Sequence, residues 1–282
     1  MSEMHDIFFF TDIHGMYDLY RAIMDYCQEQ DPEAMIIFGG DACDRGPDGY
    51  KIMKELLDNS QVIYLKGNHE DMFVRAVYEI KEHFNFDQPE RKKVQKILKS
   101  CLVFDEKYID IQNSLYNGGL STLTDWIMDG ESMDIVDKLE HLPLTFSTDT
   151  CDFCHSAGVY NVFKRIADCE YENKDPDRYD TDAIIWGRSA IGWGWAPNRT
   201  AIFGHTPTVS LPTYAKVEKE EKRPVKFIGK PVLDDSMTGA KIDMDTGACF
   251  FGTAYVLNCL AMKAQGFEMK NGQVKKIEVI QF

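Results

Sequence analysis

Residues 35–46 read Met-Ile-Ile-Phe-Gly-Gly-Asp-Ala-Cys-Asp-Arg-Gly, a short apolar run that ends in glycine, acidic and basic residues. The continuous run Met35–Phe38 predicts a strand buried on both faces. Glycines directly after such a strand allow sharp turns and close approach of the backbone. This pattern is typical of the carboxyl end of a parallel strand, where open α/β sheets place their ligand sites.

Two further strands of the same kind lie on either side of this stretch. Ile7–Thr11 leads into Asp12-Ile13-His14-Gly15, and Gln61–Leu65 leads into Gly67-Asn68-His69-Glu70. Helical spacing of apolar residues predicts helices that separate and follow these strands: Tyr17–Gln28, about Asp48–Leu57 and Asp71–Phe84. The resulting β-α-β-α-β order predicts an α/β fold with a mostly parallel sheet and helices on its faces.

The rest of the chain has a different pattern. Residues of about 85–142 are polar and helical, interrupted at Asn117-Gly118-Gly119, which predicts a helical insertion packed beside the sheet. Strand patterns return at Leu144–Ser147, Asp152–His155 and Thr200–Phe203, and Glu218–Arg223 reads as a loop or hairpin tip. Tyr255–Met262 and Val274–Ile280 around Asn271-Gly272 predict a closing hairpin. We expect a single domain over residues 1–282.

Composition excludes several classes of protein. The 46 acidic and 31 basic residues give a formal charge of −15, so no basic surplus is present to bind a nucleic-acid backbone. No apolar run is long enough for a membrane span, and the N-terminal residues lack the basic region of a signal peptide. Eight cysteines in 282 residues do not form a disulfide scaffold. A cytoplasmic protein without nucleic-acid or membrane partners is expected.

The polar residues after the strands form a candidate metal-ligand set. His155 and His205 also follow predicted strands, and Asp, Asn and His are ligands suited to divalent metals. We predict that Asp12 and His14 bind one ion, that Asn68, His155 and His205 bind a second, and that Asp41 bridges them. A shared carboxylate holds two ions about 4 Å apart. Mn²⁺ is the first choice for both ions, with Fe or Zn²⁺ as alternatives.

These five segments together resemble the phosphoprotein phosphatase family of the calcineurin-like metallophosphoesterases. That family reads GDxHG, GDxxDRG and GNHE, then a histidine in an H-A-G context and a late GH. The resemblance implies a sandwich of two mixed β-sheets flanked by helices. The chain departs from the pattern at Thr11, where the family usually has glycine, and at Ser156, which stands before Ala157-Gly158.

The resemblance also implies roles for individual residues. Arg45 and Arg188 would hold phosphate oxygens, because guanidinium groups bind them in a bidentate fork, with Asn68 beside the substrate. His69 would protonate the leaving alkoxide, and Asp44 would orient His69. A hydroxide that bridges the two metals would attack phosphorus in line. Residues 242–247, Ile-Asp-Met-Asp-Thr-Gly, resemble the family's D-T-G stretch.

Three functions remain open at this level. The first is hydrolysis of phosphate monoesters, with phosphoserine and phosphothreonine of proteins as the leading substrates and small phosphate esters as others. The second is hydrolysis of dinucleoside polyphosphates by a symmetrical bis(nucleosyl)-tetraphosphatase. The third is a metal-bound binding protein without turnover. His69, Asp44 and Arg45 speak against the third function, because a binding protein needs no proton donor.

Two other patterns have a structural and a functional interpretation. Cys151-Asp152-Phe153-Cys154-His155 matches the C-x-x-C-H haem attachment pattern, but its place in a predicted strand favours cysteines that face the core. Trp186, Trp193 and Trp195 lie close to Arg188. Packing under a loop would explain these tryptophans, and our hypothesis is that they wall the substrate pocket.

Overall fold

The computed structural model describes residues 5–103, 106–156, 178–188, 190–217, 220–229 and 238–282. Their strands form two mixed sheets with helices outside, which confirms the predicted fold class. In the described residues no helix is both long and apolar enough to cross a membrane. The two sheets lie on opposite sides of a shared apolar core.

The first sheet has the strand order β11-β10-β9-β1-β2-β3. Its parallel part is β1 (Ile7–Phe10), β2 (Met35–Phe38) and β3 (Val62–Tyr64). Its antiparallel part is β9 (Thr253–Asn258), β10 (Lys263–Lys270) and β11 (Gln273–Gln281). β9 pairs with β1 in an antiparallel orientation and so joins the two parts. The sheet is therefore parallel only over the strands that the N-terminal segments supply.

The second sheet has the strand order β4-β5-β6-β8-β7. These strands are β4 (Thr145–Ser147), β5 (Cys151–Cys154), β6 (Thr200–Phe203), β7 (Val225–Ile228) and β8 (Ala240–Asp243). The three central strands are parallel, and both edge strands are antiparallel to their neighbours. The carboxyl ends of β5 and β6 therefore lie at the same end of this sheet, directly before His155 and His205.

The long helices follow the parallel strands of the first sheet. They are α1 (Tyr17–Gln30), α2 (Gly49–Asp58) and α3 (Asn68–His83). The insertion supplies α4 (Arg91–Ser100), α5 (Ile109–Tyr116), α6 (Leu120–Met128) and α7 (Met133–Glu140). Two further α-helices complete the described set, α8 (Arg178–Trp186) and the single turn α9 (Ala248–Phe251).

Successive residues of β1 face opposite layers, which explains its uninterrupted apolar sequence. Phe8 and Phe10 pack into the cluster that holds α1, α2 and α3, whereas Phe9 faces the second sheet. The ring of Phe9 stacks on that of Phe153 in β5, with centroids 5.5 Å apart. Because side chains alternate along a strand, a strand between two layers must be apolar at every position.

The insertion packs against α2 and α3 as a helical layer. Trp126 of α6 is fully buried, and its ring meets Phe73 of α3 edge to face at 6.3 Å. In the described part of residues 85–142 the chain forms α4 to α7, and it turns between α5 and α6 at Gly118, which has a φ of 94°.

Two boundaries differ from the sequence predictions. α3 begins at Asn68 rather than at Asp71, because Glu70 accepts a hydrogen bond from the Gly67 amide at 2.9 Å and caps the first turn. The predicted strand Tyr255–Met262 ends at Asn258, and an additional strand, β10, forms the hairpin with β11 around Asn271-Gly272. Of the predicted loop Glu218–Arg223, the first two residues lie outside the described part, as do Ala157 and Gly158.

Candidate metal centre

The loops after β1 and β2 are joined by their backbones. Asp12 donates its amide to Gly40 O at 3.0 Å, His14 donates to Asp41 O at 3.0 Å, and Gly46 donates to His14 O at 3.0 Å. A Cβ on Gly46 would lie 2.3 Å from His14 O, so only glycine allows the two loops to approach this closely. This backbone ladder sets the spacing between the first two predicted ligand segments.

Six predicted site residues have a left-handed backbone conformation, which non-glycine residues seldom adopt. They are Asp12, His14, Asp41, Asp44, Arg45 and His205, with φ values of 53°, 44°, 61°, 67°, 63° and 68°. Each such residue costs about 1–3 kcal/mol and persists only where the surrounding structure enforces it. The concentration of strain at these positions is typical of a functional site.

Asp41 lies between two groups of histidines. Its Oδ2 is 3.5 Å from His14 Nε2, and its Oδ1 is 3.4 Å from His155 Nε2. Oδ1 also accepts the backbone amide of His69 at 3.0 Å. One carboxylate thus presents a different oxygen to each group, an arrangement that suits a bridging ligand.

The tautomers of two histidines are set by backbone carbonyls. His14 Nδ1 lies 2.8 Å from Cys43 O, and His155 Nδ1 lies 2.7 Å from Gly39 O. Both nitrogens must donate to these acceptors, so each Nε2 directs a lone pair into the site. Burial lowers the pKa of His14 well below its ordinary value and that of His155 to about 3, so both rings are neutral, the form that binds metals.

The side chains of Asn68, His155 and His205 direct acceptor atoms towards one another. Asn68 Oδ1 lies 3.0 Å from His155 Nε2, and the His155 and His205 rings are 5.0 Å apart. His205 Nε2 is buried without a hydrogen-bond partner among the described residues. Burial lowers the pKa of His205, so this ring is neutral as well. Facing lone pairs without protons between them are stabilised by a cation, so these residues fit a metal ion.

Two groups of ligand atoms result, and each could hold one ion. The first is His14, Asp41 and His69, and the second is Asp41, His155 and His205; within each group the ligand atoms lie within 4.8 Å of one another. Both groups are buried and share Asp41. These clusters fit a two-metal site. The first group contains His69 in the place for which the sequence predicts Asp12.

Asp12 is held at the site through the second group. Its Oδ2 accepts the Thr11 hydroxyl at 2.6 Å and the His205 amide at 2.9 Å, while its Oδ1 is buried and has no partner among the described residues. Burial and the neighbouring Asp245 raise the pKa of Asp12, and a cation would relieve both effects. Thr11, the departure from the family glycine, thus positions a carboxylate.

His69, Asp44 and Arg45 form a connected set beside the first group. His69 Nδ1 lies 2.8 Å from Asp44 Oδ2, so the predicted pairing of these two side chains is present. Arg45 Nη2 lies 3.0 Å from His69 Nε2, and its other terminal nitrogen contacts His14 Nε2. Arg45 is exposed to solvent, whereas His69 and Asp44 are fully buried. The guanidinium therefore faces both the site and its mouth.

Arg188 and Trp186 lie beside His205 of the second ligand group, whereas Trp195 does not. Arg188 Nη2 lies 3.5 Å from His205 O, at the outer limit of a hydrogen bond. The Trp186 ring meets the His205 ring edge to face at 5.9 Å. Trp195 instead is buried and donates Nε1 to Asp152 Oδ2 at 2.9 Å, so it is a core residue and not a pocket wall.

Ser156, the inserted residue of the His155 motif, donates its hydroxyl to Ile184 O at 2.5 Å and so ties the motif to α8.

The structure supports the structural interpretation of the C-x-x-C-H pattern, in which the cysteines face the core. Cys151 and Cys154 are both buried in β5, and burial raises the pKa of Cys154 to about 12. His155, the histidine of that pattern, points into the metal centre. The cysteines therefore face the core, as expected.

Glu70 is a positioning residue to which the sequence assigned no role. Its Oε1 accepts from the Ala42 amide and the Tyr64 hydroxyl, each at 2.8 Å. Its Oε2 accepts from the Asp41 and Gly67 amides, each at 2.9 Å. Four donors on one buried carboxylate fix the backbone around Asp41. In the sequence, only the place of this glutamate directly after Gly67-Asn68-His69 could have indicated its positioning role.

The helical insertion also contacts the site, which sequence reasoning missed. Asp44 donates its amide to Thr122 Oγ1 at 3.0 Å, and Arg45 donates its amide to Gly118 O at 3.1 Å. Ser121 donates its hydroxyl to Gly46 O at 3.0 Å. The turn between α5 and α6 therefore holds the strained Asp44-Arg45-Gly46 segment. The glycine pair at this turn was the only sequence signal.

Two further buried carboxylates, Asp243 and Asp245, lie behind Asp12. Asp243 Oδ1 accepts the Asp245 amide at 3.0 Å, and Asp245 Oδ1 accepts the Gly247 amide at 2.9 Å. Burial raises the pKa of Asp245 to about 6, and burial together with Asp245 raises that of Asp243. These residues belong to the D-T-G stretch, and they add acidic groups close to Asp12.

Comparison with known families agrees with this geometry. Residues 5–208 match the family model of the calcineurin-like phosphoesterases. The match covers more than half of the chain, and the chain belongs to this family. Its buried His/Asp clusters are consistent with a two-metal site.

Individual relatives share parts of the chain. A human serine/threonine-protein phosphatase with EF-hands 2 is 30% identical over 149 residues, which cover 50% of this chain and 19% of the relative. A symmetrical bis(5'-nucleosyl)-tetraphosphatase of Buchnera aphidicola is 30% identical over 79 residues, 27% of this chain and 28% of the relative. The matched stretches thus span less than a third of either relative.

Among solved structures, that of a candidate diadenosine tetraphosphatase superposes with a TM-score of 0.50. It is 13% identical in sequence and covers 98% of this chain and 94% of its own. At this level of identity the likeness concerns the fold alone.

Proposed function

We propose that this chain hydrolyses phosphate monoesters, with phosphoserine and phosphothreonine of proteins as the leading substrates. The observation that carries the proposal is Asp41, which presents one oxygen to His14 and the other to His155, with Arg45 and His69 beside it. A site with two ligand groups, a guanidinium and a histidine–carboxylate pair has the parts needed to hold a phosphoryl group and to protonate an alkoxide.

The proposed ligands are Asp12 and His14 for one ion, Asn68, His155 and His205 for the other, and Asp41 for both. When bound, two divalent cations supply Lewis acidity for the phosphoryl oxygens and an activated water for in-line attack. The chain fixes these ligands beforehand through carbonyl contacts to His14 and His155 and through Glu70, so little reorganisation is needed when the ions bind.

Arg45 is the proposed phosphate clamp. Its guanidinium reaches the ring nitrogens of both His14 and His69, so an anion bound there would lie between the metal centre and the solvent. Guanidinium groups pair with two phosphate oxygens at once and so fix orientation as well as charge. Arg188, near His205 on the other side, is the proposed second clamp.

His69 is the proposed general acid. Its Nδ1 lies 2.8 Å from the Asp44 carboxylate, which orients the ring so that Nε2 is directed into the site. Nε2 lies beside Arg45, where the ester oxygen of a clamped phosphate would sit. The alternative role for His69 is that of a metal ligand, because its nitrogen also falls in the first ligand group.

Support for a protein substrate comes from the human phosphatase, whose match covers half of this chain. A second candidate is symmetrical hydrolysis of dinucleoside tetraphosphates. The Buchnera tetraphosphatase supports it with equal identity over a shorter stretch. Both reactions would use the same ligands and clamp and would differ in what lies at the mouth of the site.

The test is a side-by-side assay of protein reconstituted with Mn²⁺, Fe²⁺ or Zn²⁺. The substrates are p-nitrophenyl phosphate, a phosphoserine peptide and diadenosine tetraphosphate, with Asp41→Asn as the inactive control. Faster turnover of the peptide than of the dinucleotide supports the leading proposal, and the reverse order supports the second candidate. Absence of turnover of all three substrates with every metal would refute both.

A further inference from the structure

Phe250 occupies a fixed position at the mouth of the metal centre. It lies in α9, directly after the Asp245-Thr246-Gly247 stretch. Glycines in the left-handed conformation, Gly247 (φ 73°) and Gly252 (φ 70°), bound this short helix on both sides. Backbone hydrogen bonds from residues 250 and 251 to Gly247 O, at 2.9 and 2.8 Å, close its turn. The ring is therefore presented by a defined turn and not by an unstructured loop.

The Phe250 ring is exposed beside the proposed phosphate clamp. The side chain is 62% exposed, and only Phe250 and Phe251 are exposed among the phenylalanines of the described residues. The Arg45 guanidinium carbon lies 5.4 Å from the centroid of the Phe250 ring. An isolated apolar residue on a surface needs no explanation, but here the ring adjoins a cation that reaches into the site.

The neighbouring ring has different contacts. Phe251 faces Lys222, whose Nζ lies 4.4 Å from its centroid, and it packs against the backbone of Gly247. The two rings lie 6.4 Å apart at an angle of 59°, so they are not coplanar. Phe250 alone combines exposure with contact to Arg45. The chain therefore contains a matched pair of adjacent phenylalanines for comparison.

We propose that Phe250 forms a ring-binding surface that selects phosphate esters in which a flat aryl or nucleobase group lies near the phosphate. Such a group would stack on Phe250 while its phosphate is held by Arg45. Stacking on an aromatic side chain tolerates any flat π-system, so the surface would accept either source of ring. The inference rests on the proposed phosphate-ester site but not on a protein being the substrate.

The test compares two non-hydrolysable probes of equal charge, phenylphosphonate and methylphosphonate. Their dissociation constants are measured by calorimetry on the metal-loaded protein for wild type, Phe250→Ala, Phe250→Trp and Phe251→Ala. In the wild type phenylphosphonate binds more tightly. In Phe250→Ala we expect its advantage to fall by about 5- to 100-fold, the range seen when stacking residues are removed. Phe250→Trp keeps the advantage, and Phe251→Ala retains the wild-type ratio.

Several outcomes would overturn the proposal. Equal weakening of both probes in Phe250→Ala means that the ring only positions Arg45. Equal affinities in the wild type, or the same loss in Phe251→Ala, mean that no ring-binding surface exists at Phe250. Because the probes are not hydrolysed, these results are separate from a failure of phosphatase activity, which the turnover assay detects by itself.

The same variants then distinguish the sources of the ring. With the turnover assay, kcat/KM is measured on p-nitrophenyl phosphate, adenosine 5'-monophosphate and a phosphoserine peptide without aromatic residues. A loss in Phe250→Ala that is confined to the nucleotide assigns the surface to a nucleobase, and one confined to the nitrophenyl ester assigns it to an aryl group. A loss of the same size on the peptide contradicts ring selection.

Discussion

At the scale of single residues, His69 could have either of two roles, that of a proton donor or that of a metal ligand. Its Nδ1 contacts Asp44 at 2.8 Å, which suits a proton donor, while its Nε2 lies 3.8 Å from Asp41 Oδ2 among the candidate ligands. A donor must hold a proton on Nε2, whereas a ligand must hold a lone pair there. The two roles therefore exclude each other at the moment of reaction and predict different mutants.

Replacing His69 by Asn tests this choice. If His69 is the general acid, kcat falls by about 10²- to 10⁴-fold while the bound metal stays at the wild-type level. Kinetics on p-nitrophenyl phosphate and elemental analysis of the same sample provide the two measurements. Asp44→Asn should lower kcat in the same direction, because it removes the carboxylate that orients the ring. Loss of metal from His69→Asn would assign His69 to the ligands instead.

At the scale of elements, the turn between α5 and α6, together with the start of α6, holds the loop that follows β2 in place. Thr122, Gly118 and Ser121 each contact one residue of the segment Asp44-Arg45-Gly46. A Cβ on Gly118 would lie 2.8 Å from the Arg45 amide nitrogen, so this turn packs closely against the strained segment. The insertion therefore supports the proposed acid pair and clamp from outside the sheet.

Thr122→Val should weaken the contact between α6 and the Asp44-Arg45-Gly46 segment. The change keeps the shape of the side chain but leaves the buried Asp44 amide without its acceptor, at a cost of about 1–3 kcal/mol. Displacement of Asp44 and Arg45 should lower kcat by roughly tenfold or more, because small misplacements at a reacting centre are costly. Thr124→Val is the matched control: Thr124 is buried in the same helix but bonds only to Leu120 O. Equal kinetic losses in both variants would contradict a positioning role.

A second element-scale link fastens the β4–β5 hairpin to the start of β6. Arg199 donates Nε to Asp152 Oδ2 at 2.7 Å and Nη2 to Asp152 Oδ1 at 2.6 Å, and it also reaches three backbone carbonyls of the hairpin. Burial alone would raise the pKa of Asp152, but hydrogen bonds from Arg199, Ser147 and Trp195 outweigh it, so the pKa lies below its ordinary value. This strengthens the parallel pairing that brings His155 close to His205.

The lowered pKa of Asp152 predicts how stability depends on pH. Because the folded protein binds this proton less readily than the unfolded chain, the contribution is complete above the unfolded pKa of about 3.9 and disappears as pH falls through the lower folded value. Asp152→Asn should lower the free energy of unfolding by about 1–3 kcal/mol at pH 7. Urea titrations should show this difference shrinking below about pH 4. Asp134→Asn, which removes an exposed partner of Lys138, should retain the wild-type acid dependence.

At the scale of the whole molecule, the metal centre concentrates negative charge inside the protein. Asp12, Asp41, Asp243 and Asp245 are all buried, and burial raises the pKa of each of them. Each carboxylate that ionises there without a counter-ion disfavours the folded state. Bound cations should therefore stabilise the entire fold and not only the loops that hold them.

Removal of metal should lower the melting temperature. A ligand present at a hundred times its dissociation constant adds about 2.7 kcal/mol, which for a chain of this size corresponds to roughly 5–10 °C. Scanning calorimetry with and without EDTA measures the effect, and re-addition of Mn²⁺ should restore it. In Asp41→Asn the two melting temperatures should nearly coincide. A wild-type melting temperature that does not respond to EDTA would contradict this coupling.

Much of this arrangement was predictable because it is local in sequence. Each predicted ligand stands within a few residues of an apolar strand, so Asp12, His14 and Asp41 follow from the strand ends and from the metal preferences of their side chains. The same holds for the parallel order of β1, β2 and β3. The antiparallel half of the first sheet was not predictable, because Tyr255–Met262 is apolar except at Asn258, and this one polar residue does not mark the turn that follows it.

The remaining features depend on contacts that are distant in sequence. Thr122 lies 78 positions from Asp44, and nothing in the pattern of α6 marks one buried threonine as an acceptor for that amide. Trp195 and Trp186 look equivalent in sequence, but only the pairing of β5 with β6 buries Trp195 against Asp152. The left-handed conformation of Asp44 and Arg45 is equally hidden, because it is enforced by neighbours and not by residue type.

The hydrogen bond between the His205 amide and Asp12 joins residues that are 193 positions apart. Contacts of such high order form late, because a long loop must close before they contribute any stability. On the ribosome, Asp12, His14 and Asp41 emerge well before His155 and His205 have been synthesised. A pair of metal ions cannot guide the early stages of folding, because the second ligand group is incomplete until His155 and His205 are in place. We therefore expect cells starved of metal to accumulate folded apoprotein that regains activity when ions are supplied, without passage through an unfolded state.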